Sequence, residues 1–299
     1  MNYFLHLGIY ACIYSIVAMS LNLAVGYCGL LTLAHAGYFA IGAYTYALVS
    51  VKLGWGFLPA VGLGMAIASV ASLAVSMSAW RFKGDFFVML SLAVQSLLFS
   101  LFYNWFKADA DFGTWANLTN GPFGIAGIPK PNIFGLQFQT IGSIALLAAV
   151  LAIACGVICW LLVSSPWGRL LKAMRDDELV ARGLGKNTRF VKMQVMAIAC
   201  AMAALAGSIY AGYVSYIDPS AATLDESILF VCMILVGGVG NFKGPLVGAV
   251  LLIALPEVLR FVAIPDAIAA NVHLGIYGLC LVAIAHFRQQ GIAGEYRIE

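Results

Sequence analysis

The chain has 299 residues, of which 63% are apolar and 10% charged, with a formal net charge of +3 and a mean hydropathy of +0.95. Soluble domains carry roughly 25% charged residues, so this composition cannot cover a water-facing globule and points to an integral membrane protein. The small net charge offers no surface for nucleic acid, and no nucleic-acid partner is expected.

In chain order, residues 1–51, 53–80, 86–106, 131–168, 193–217 and 267–287 contain no Asp, Glu, Lys or Arg. A spanning helix needs roughly 20 mainly apolar residues, and the first tract holds two such spans. Shorter apolar runs at 227–242 and 244–256 extend the count. The expectation is an all-α polytopic bundle of eight or nine transmembrane helices forming one domain over 1–299. Continuous runs exclude a β-barrel, whose strands alternate apolar and polar residues. The first run lacks a basic flank and continues into a full span, so no cleavable signal peptide is expected. Seven cysteines sit in apolar tracts and read as small buried hydrophobes. No metal or other cofactor is expected.

Charge sets the expected orientation. Residues 164–192 hold seven of the sixteen basic residues, which places this loop in the cytoplasm. Arg81, Lys83, Lys243 and the C-terminal Arg288 and Arg297 fall on the same side. The acids Asp109, Asp111, Asp218, Asp225, Glu226 and Asp266 fall in the outer loops 107–139, 214–226 and 265–272. The N-terminus is outside if 27–50 crosses fully and inside if that segment is re-entrant.

The stretch Asn22–Tyr46 is apolar enough for the membrane, yet carries Gly26, Gly29, Gly37 and Gly42 with Asn22, Thr32 and His35. Two readings stand. Glycines let a helix break, and interrupted helices build substrate sites in transporters. Small residues equally serve close helix packing. His35 is the one ionisable group in the tract, either a substrate ligand or a satisfied structural histidine.

The basic loop runs from Ser164, and Pro166 stops the preceding span. Asp176, Asp177 and Glu178 suit a helix N-terminus, and Gly183 and Gly185 suit its end. The predicted helix is either a docking element or a membrane-surface loop meeting anionic lipid. Farther on, Ala199, Ala203, Gly207 and Ala211 repeat at i+4, as do Gly240, Gly244 and Gly248, the spacing of closely touching helices. Glu257 and Arg260 lie at i,i+3 and are expected to pair.

No phosphate-binding loop, metalloprotease motif or nucleophile elbow occurs, so no chemistry of its own is expected. Two rival classes remain. An ion-coupled transporter needs intramembrane acids, of which Glu257 alone is available. A membrane-embedded enzyme needs clustered catalytic groups, and His6, His35, His273 and His286 are scattered.

The segments NLAVGYCGLLTLAHAGYFAIGAY, GRLLKAMRDDELVARGLGKNTRFVKMQVMAIACAMAALAGSIYAGYVSYIDP, LVGGVGNFKGPLVGAVLLIALPEVLR and IYGLCLVAIAHFRQQG resemble the branched-chain amino acid ABC-transporter permeases, within them the LivM-type subunit. The resemblance runs in order over most of the chain and is weakest around 100–140. It implies a subunit of a bacterial inner-membrane importer with a second related permease, two ATPase subunits and an extracytoplasmic solute-binding protein. ATP hydrolysis would lie in the partners, so this subunit is not an enzyme. Asn22, Gly26, Gly29, Thr32, His35, Gly37 and Tyr38 would line the translocation path. Arg175, Asp176, Asp177, Ala181 and Gly185 match the family's ATPase-coupling region, where Val180 departs from its usual second alanine. The ending Arg288-Gln289-Gln290-Gly291 departs from the expected Arg-Pro-x-Gly. Relatives are associated with leucine, isoleucine and valine, and also with urea, short amides and aromatic acids.

Overall fold

The computed structural model describes residues 2–80, 84–133 and 135–260, together with 275, 278 and 279. Its helices are α1 (Asn2–Asn22), α2 (His35–Leu53), α3 (Phe57–Ser76), α4 (Asp85–Asn104), α5 (Ile141–Ser164), α6 (Pro166–Asp176), α7 (Glu178–Gly183), α8 (Thr188–Val214), α9 (Leu224–Gly237) and α10 (Gly244–Arg260). A π-helical turn, Leu23–Tyr27, extends α1. Five runs are long and apolar enough to cross a bilayer: Tyr3–Tyr27, α3, α4, α5 and α8. Strands are confined to two-residue pieces. β1 (Ile125–Ala126) pairs antiparallel with β4 (Tyr216–Ile217), and β2 (Asn132–Ile133) with β3 (Leu136–Gln137). The expected basic pair Arg81 and Lys83, the outer turn 265–272, the basic C-terminus and all but three residues of the last expected span lie outside the described residues.

Side-chain caps fix several helix starts, as the residue types dictate. Thr140 accepts from the Ser143 amide at the start of α5, and Asn187 accepts from the Phe190 amide at the start of α8. Ser165 caps α6, with Pro166 at the first helical position. Here one expectation changes. The acidic run does not open a single helix; the chain turns a corner within it. Asp177 leaves helical geometry (φ −152°, ψ 105°), and its Oδ1 accepts from the Leu179 and Val180 amides at 2.8 and 3.1 Å. Its short carboxylate competes with the helix for backbone donors, so Asp176 ends α6 and Asp177 caps α7. Gly185, at φ +76°, follows α7.

The core is built on α2 and α8, and it explains the glycine and alanine spacing. Fifteen of the nineteen residues of α2 are buried. A Cβ at Gly42 would overlap the Ala204 backbone, and one at Gly207 would overlap the Phe39 carbonyl. Ser208 Oγ donates to the Gly42 carbonyl at 3.1 Å and the Ala204 carbonyl at 2.9 Å. Helix α3 joins this pair, with Ser69 Oγ donating to the Ala197 carbonyl at 3.2 Å. The second small-residue repeat packs α9 on α10, where a Cβ at Gly237 would overlap the Gly244 carbonyl and one at Gly248 the Met233 carbonyl. Lipid tails are as apolar as leucine, so such close van der Waals contact is what holds membrane helices together.

Substitution of Gly42 by Val is therefore expected to destabilise the protein by about 1–3 kcal/mol or more through overpacking, read as a lowered melting temperature in detergent. At Gly62 nothing lies within 4 Å of an added Cβ, and Gly62→Ala is expected to leave the melting temperature unchanged or slightly higher. Equal losses from both would contradict the packing described.

Candidate functional site

The bundle interior is interrupted between α1 and α2. After Asn22 the chain makes the π turn, runs irregularly over 28–34, and resumes as helix at His35. Backbone N–H groups without partners at membrane depth each cost several kcal/mol. Here they are satisfied from neighbouring elements. The Leu33 amide donates to Ser91 Oγ on α4 at 2.9 Å, and the Gly37 amide to Gln95 Oε1 on α4 at 2.9 Å. The Ala36 amide donates to Ser227 Oγ on α9 at 3.1 Å, and the Ala34 amide to Thr32 Oγ1 at 3.3 Å. Gln95 Nε2 in turn donates to the Ala222 carbonyl at 2.6 Å.

The sequence-predicted path residues cluster here, and most are enclosed. Asn22, Thr32, His35 and Tyr38 are at most 2% exposed, whereas Gly29 and Leu31 face outward. Asn22 joins this break to a second one between α9 and α10. Its Oδ1 accepts from the Gly240 amide and its Nδ2 donates to the Asn241 carbonyl, both at 3.0 Å. Gly26 is required by that approach, since a Cβ there would lie 2.6 Å from the Gly240 nitrogen. Ser20 Oγ donates to the Val17 carbonyl and lies 2.7 Å from His35 Nε2. Neither His35 Nδ1 nor the Tyr38 hydroxyl has a partner among the described residues.

The sequence-predicted coupling residues meet the same break from one end of the bundle. Arg175, at the end of α6, donates from Nη1 to the Gly26 carbonyl at 2.8 Å and from Nε to Asp176 Oδ1 at 3.1 Å. Its Cγ would lie 3.1 Å from a Cβ at Gly29, whose φ is +73°. Lys172 Nζ stands 5.7 Å from the Tyr27 ring centre. Beyond the Asp177 corner, Glu178 anchors α7 to α8 through Lys192 at 3.0 Å and Thr188 at 3.0 Å, and pairs with Arg182 at 2.6 Å. Ala181 is buried against this anchor, while Leu179, Val180 and Leu184 are 70%, 59% and 75% exposed. Between break and corner lies a cavity of about 450 Å³ lined by Cys28, Leu31, Asp85, Asp176, Glu178 and Lys192 among others.

Residues 3–285 match the family described as branched-chain amino acid transport system, permease component. The chain belongs to that family. It is 29% identical to the high-affinity branched-chain amino acid transport system permease protein LivM of Escherichia coli K12, over 83% of this chain and 61% of that protein. It therefore spans about three-fifths of the length of that relative. It is 25% identical to the probable LivM of Methanocaldococcus jannaschii, over 95% of this chain and 91% of that protein. It is 29% identical to the autoinducer 2 import system permease protein LsrC of Salmonella typhi, over 72% and 62%. No solved structure matches.

In this family member the sequence reading missed the side chains that bond the backbone of the break. Ser91 and Gln95 lie four apart in a charge-free tract, hence on one helix face, and Ser227 opens another apolar run. Polar side chains at such positions were the available signal. The Glu178–Lys192 pair, with both side chains at most 13% exposed, was also missed, because its members lie on different helices.

The Arg175–Gly26 bond generates a prediction. Hydrogen bonds involving a charged group are worth about 1.5–3 kcal/mol, so Arg175→Ala is expected to speed amide exchange over residues 26–30 by roughly 10- to 100-fold through local opening. Exchange mass spectrometry reads this directly, and unchanged protection there would show that the bond does not hold the break.

Proposed function

We propose that the chain is the membrane-spanning permease subunit of an ATP-binding-cassette importer in the bacterial inner membrane. It translocates branched-chain amino acids or a related small polar solute such as urea, a short amide or an aromatic acid. The observation that carries this reading is the bond from Arg175 to the Gly26 carbonyl. It links a charged corner with exposed leucines to a broken helix in the bundle core. A transporter driven by an external ATPase needs such a link between a docking surface and a path.

In this reading the corner faces the cytoplasm, as its basic residues favour, and the C-terminus lies on the same side. Helix α1 then begins outside and α2 returns outward, where Tyr46 donates to the Pro129 carbonyl of the 107–139 loop. The antiparallel order of α1–α5, α8 and the α9–α10 hairpin, with one further C-terminal span, gives nine crossings, within the expected eight or nine. Leu179 and Leu184 dock the ATPase, Asp177 and Gly185 set the corner's shape, and Asp176 is available to basic groups of the partner. A second homologous permease completes the path, two ATPase subunits supply the energy, and an extracytoplasmic solute-binding protein delivers the solute. Lipid surrounds the outward faces of α4 and α5, the least enclosed of the long spans. An ion-coupled carrier is disfavoured by the break itself, whose partners are serines, amides and one imidazole rather than carboxylates.

The test is uptake of labelled solute into vesicles holding the assembled importer and trapped ATP. Uptake is expected to require ATP and to survive ionophores that collapse ion gradients; arrest by an ionophore at constant ATP would overturn the importer reading. Leu184→Glu is expected to abolish co-purification of the ATPase while the permease still inserts in the membrane. Full retention would remove the corner from the coupling role.

The path assignment has its own readout. In a Cys-less background at rest, Leu31→Cys is expected to react with polar thiol reagents, whereas Thr32→Cys, His35→Cys and Tyr38→Cys do not. The last three are expected to react during ATP turnover. Inertness of all three in every state would assign the break to packing alone.

A further inference from the structure

One feature of the described residues belongs neither to the break nor to the corner. A cleft of about 260 Å³ lies between α1, α9 and α10. Helix α1 contributes Tyr3, His6, Tyr10 and Tyr14, spaced by 3, 4 and 4 residues and hence on one face. Helices α9 and α10 contribute Leu229, Met233, Leu252 and Ile253, and α10 adds the carboxylate of Glu257. Tyr3 donates to Glu257, and His6 bonds the Tyr213 hydroxyl on α8. Ring contacts fix the aromatic side in place: Tyr10 meets Tyr210 at 6.2 Å and Tyr14 meets Phe230 at 5.9 Å between ring centres.

Tyrosines at a membrane interface form the usual aromatic belt, and Tyr3 alone would need no other account. Tyr14 does not fit that account. At a rise of ~1.5 Å per residue it lies roughly 18 Å along the helix from Asn2, deep in a hydrocarbon layer of ~30 Å. The Glu257 carboxylate at one end, with acceptor sites beyond the one Tyr3 uses, calls for a cationic group. The facing aliphatic side chains call for an apolar one. A solute with both parts meets both demands, and the volume falls just under the ~300 Å³ at which sites for drug-sized ligands begin.

We propose that this cleft is a solute-binding station, which takes the ammonium group of a small amine or zwitterion at Glu257 and seats an aliphatic side chain against Leu229, Met233, Leu252 and Ile253. The inference rests on the importer reading above and gives it a second contact point for solute, away from the break. Tyr3 occupies one lone pair of the Glu257 carboxylate, which offers roughly four acceptor sites, so an ammonium group binds beside it. Met233 supplies an unbranched, adaptable surface, which suits several aliphatic shapes rather than one.

The experiment uses the assembled importer in ATP-loaded vesicles with radiolabelled leucine as the probe. Capture is governed by the solute-binding protein, so the effect falls on the maximal rate. Glu257→Gln and Ile253→Trp are each expected to lower maximal leucine uptake at least tenfold, with subunit assembly unchanged. Isoamylamine, which keeps the ammonium and the branched chain, is expected to inhibit the wild-type protein. The equivalent acid, 4-methylpentanoate, is expected not to inhibit. Leu7 also lines the α1 wall of the cleft, and in a Cys-less background Leu7→Cys is expected to react with a methanethiosulfonate amine in the assembled importer and to be protected by leucine. ATP-driven leucine uptake that both substitutions leave intact would overturn the cleft while the importer reading stands. Labelling of Leu7→Cys only in the isolated subunit would make the cleft a permease–permease contact and overturn it as well. Absence of ATP-driven leucine uptake in the wild-type importer would overturn the two together.

Discussion

Backbone amides inside a bilayer have no water to bond, and the stretch 28–34, between the π turn and α2, gives up the helix that would satisfy them. Its arrangement follows from that constraint. The amides of Leu33, Ala36 and Gly37, around the start of α2, are met by polar side chains, Ser91 and Gln95 from α4 and Ser227 from α9. These side chains cannot serve at a distance, so α4 and α9 must pack against the entry of α2. The close α2–α8 contact through Gly42 and Gly207 then holds the rest of α2. Packing and hydrogen bonding thus fix opposite parts of the same helix.

The same economy of donors ties the two breaks to each other. The Asn22 amide uses its oxygen on Gly240 and its nitrogen on Asn241, so the 238–243 turn cannot shift without exposing groups on both sides. Arg175 adds a third member by occupying the Gly26 carbonyl, a group that the wide π turn sets aside from regular helix bonding. The α6–α7 corner is itself stiff, because Glu178 carries Lys192, Arg182 and Thr188 together. A stiff corner bonded to a break held by discrete hydrogen bonds has the physical character of a switch: few contacts, all or none, with no gradual deformation.

Much of this was legible in the sequence for a definite reason. Charge-free tracts report spans because ions are costly in hydrocarbon; three of the five long runs fall within them, while α4 starts at Asp85 just before its tract and α8 starts at Thr188, with Arg189 and Lys192 in its first turns. Glycines at 26, 29, 37 and 42 mark this stretch, and they serve two local structural needs. Gly26 and Gly29 sit at the irregular backbone, while Gly42 serves close packing with Ala204. The corner was legible as a charged, capped element, but its division at Asp177 was not, since two adjacent acids suit either a helix interior turn or a cap. The partners of the orphan amides were hidden because they are tertiary. Gln95 is 58 residues from Gly37, and Arg175 is 149 residues from Gly26. The cleft was hidden more deeply, with 254 residues between Tyr3 and Glu257.

The placement of the cleft bears on how such a permease would move solute. Helices α1, α9 and α10 line it, and the same α1 and the same α9–α10 turn meet at Asn22. Tyr14 and Asn22 are eight residues apart on one continuous helix, a separation of about 12 Å at ~1.5 Å per residue. Any rotation or slide of α1 that frees Asn22 from Gly240 also carries Tyr10 and Tyr14 past Met233 and Leu252. Release of Arg175 at the corner would therefore be felt at both places through a single rigid element. Coupling of this kind needs no chain of intermediate contacts. It requires only that α1 stay helical between the cleft and the break, and Asn2–Asn22 is continuous helix.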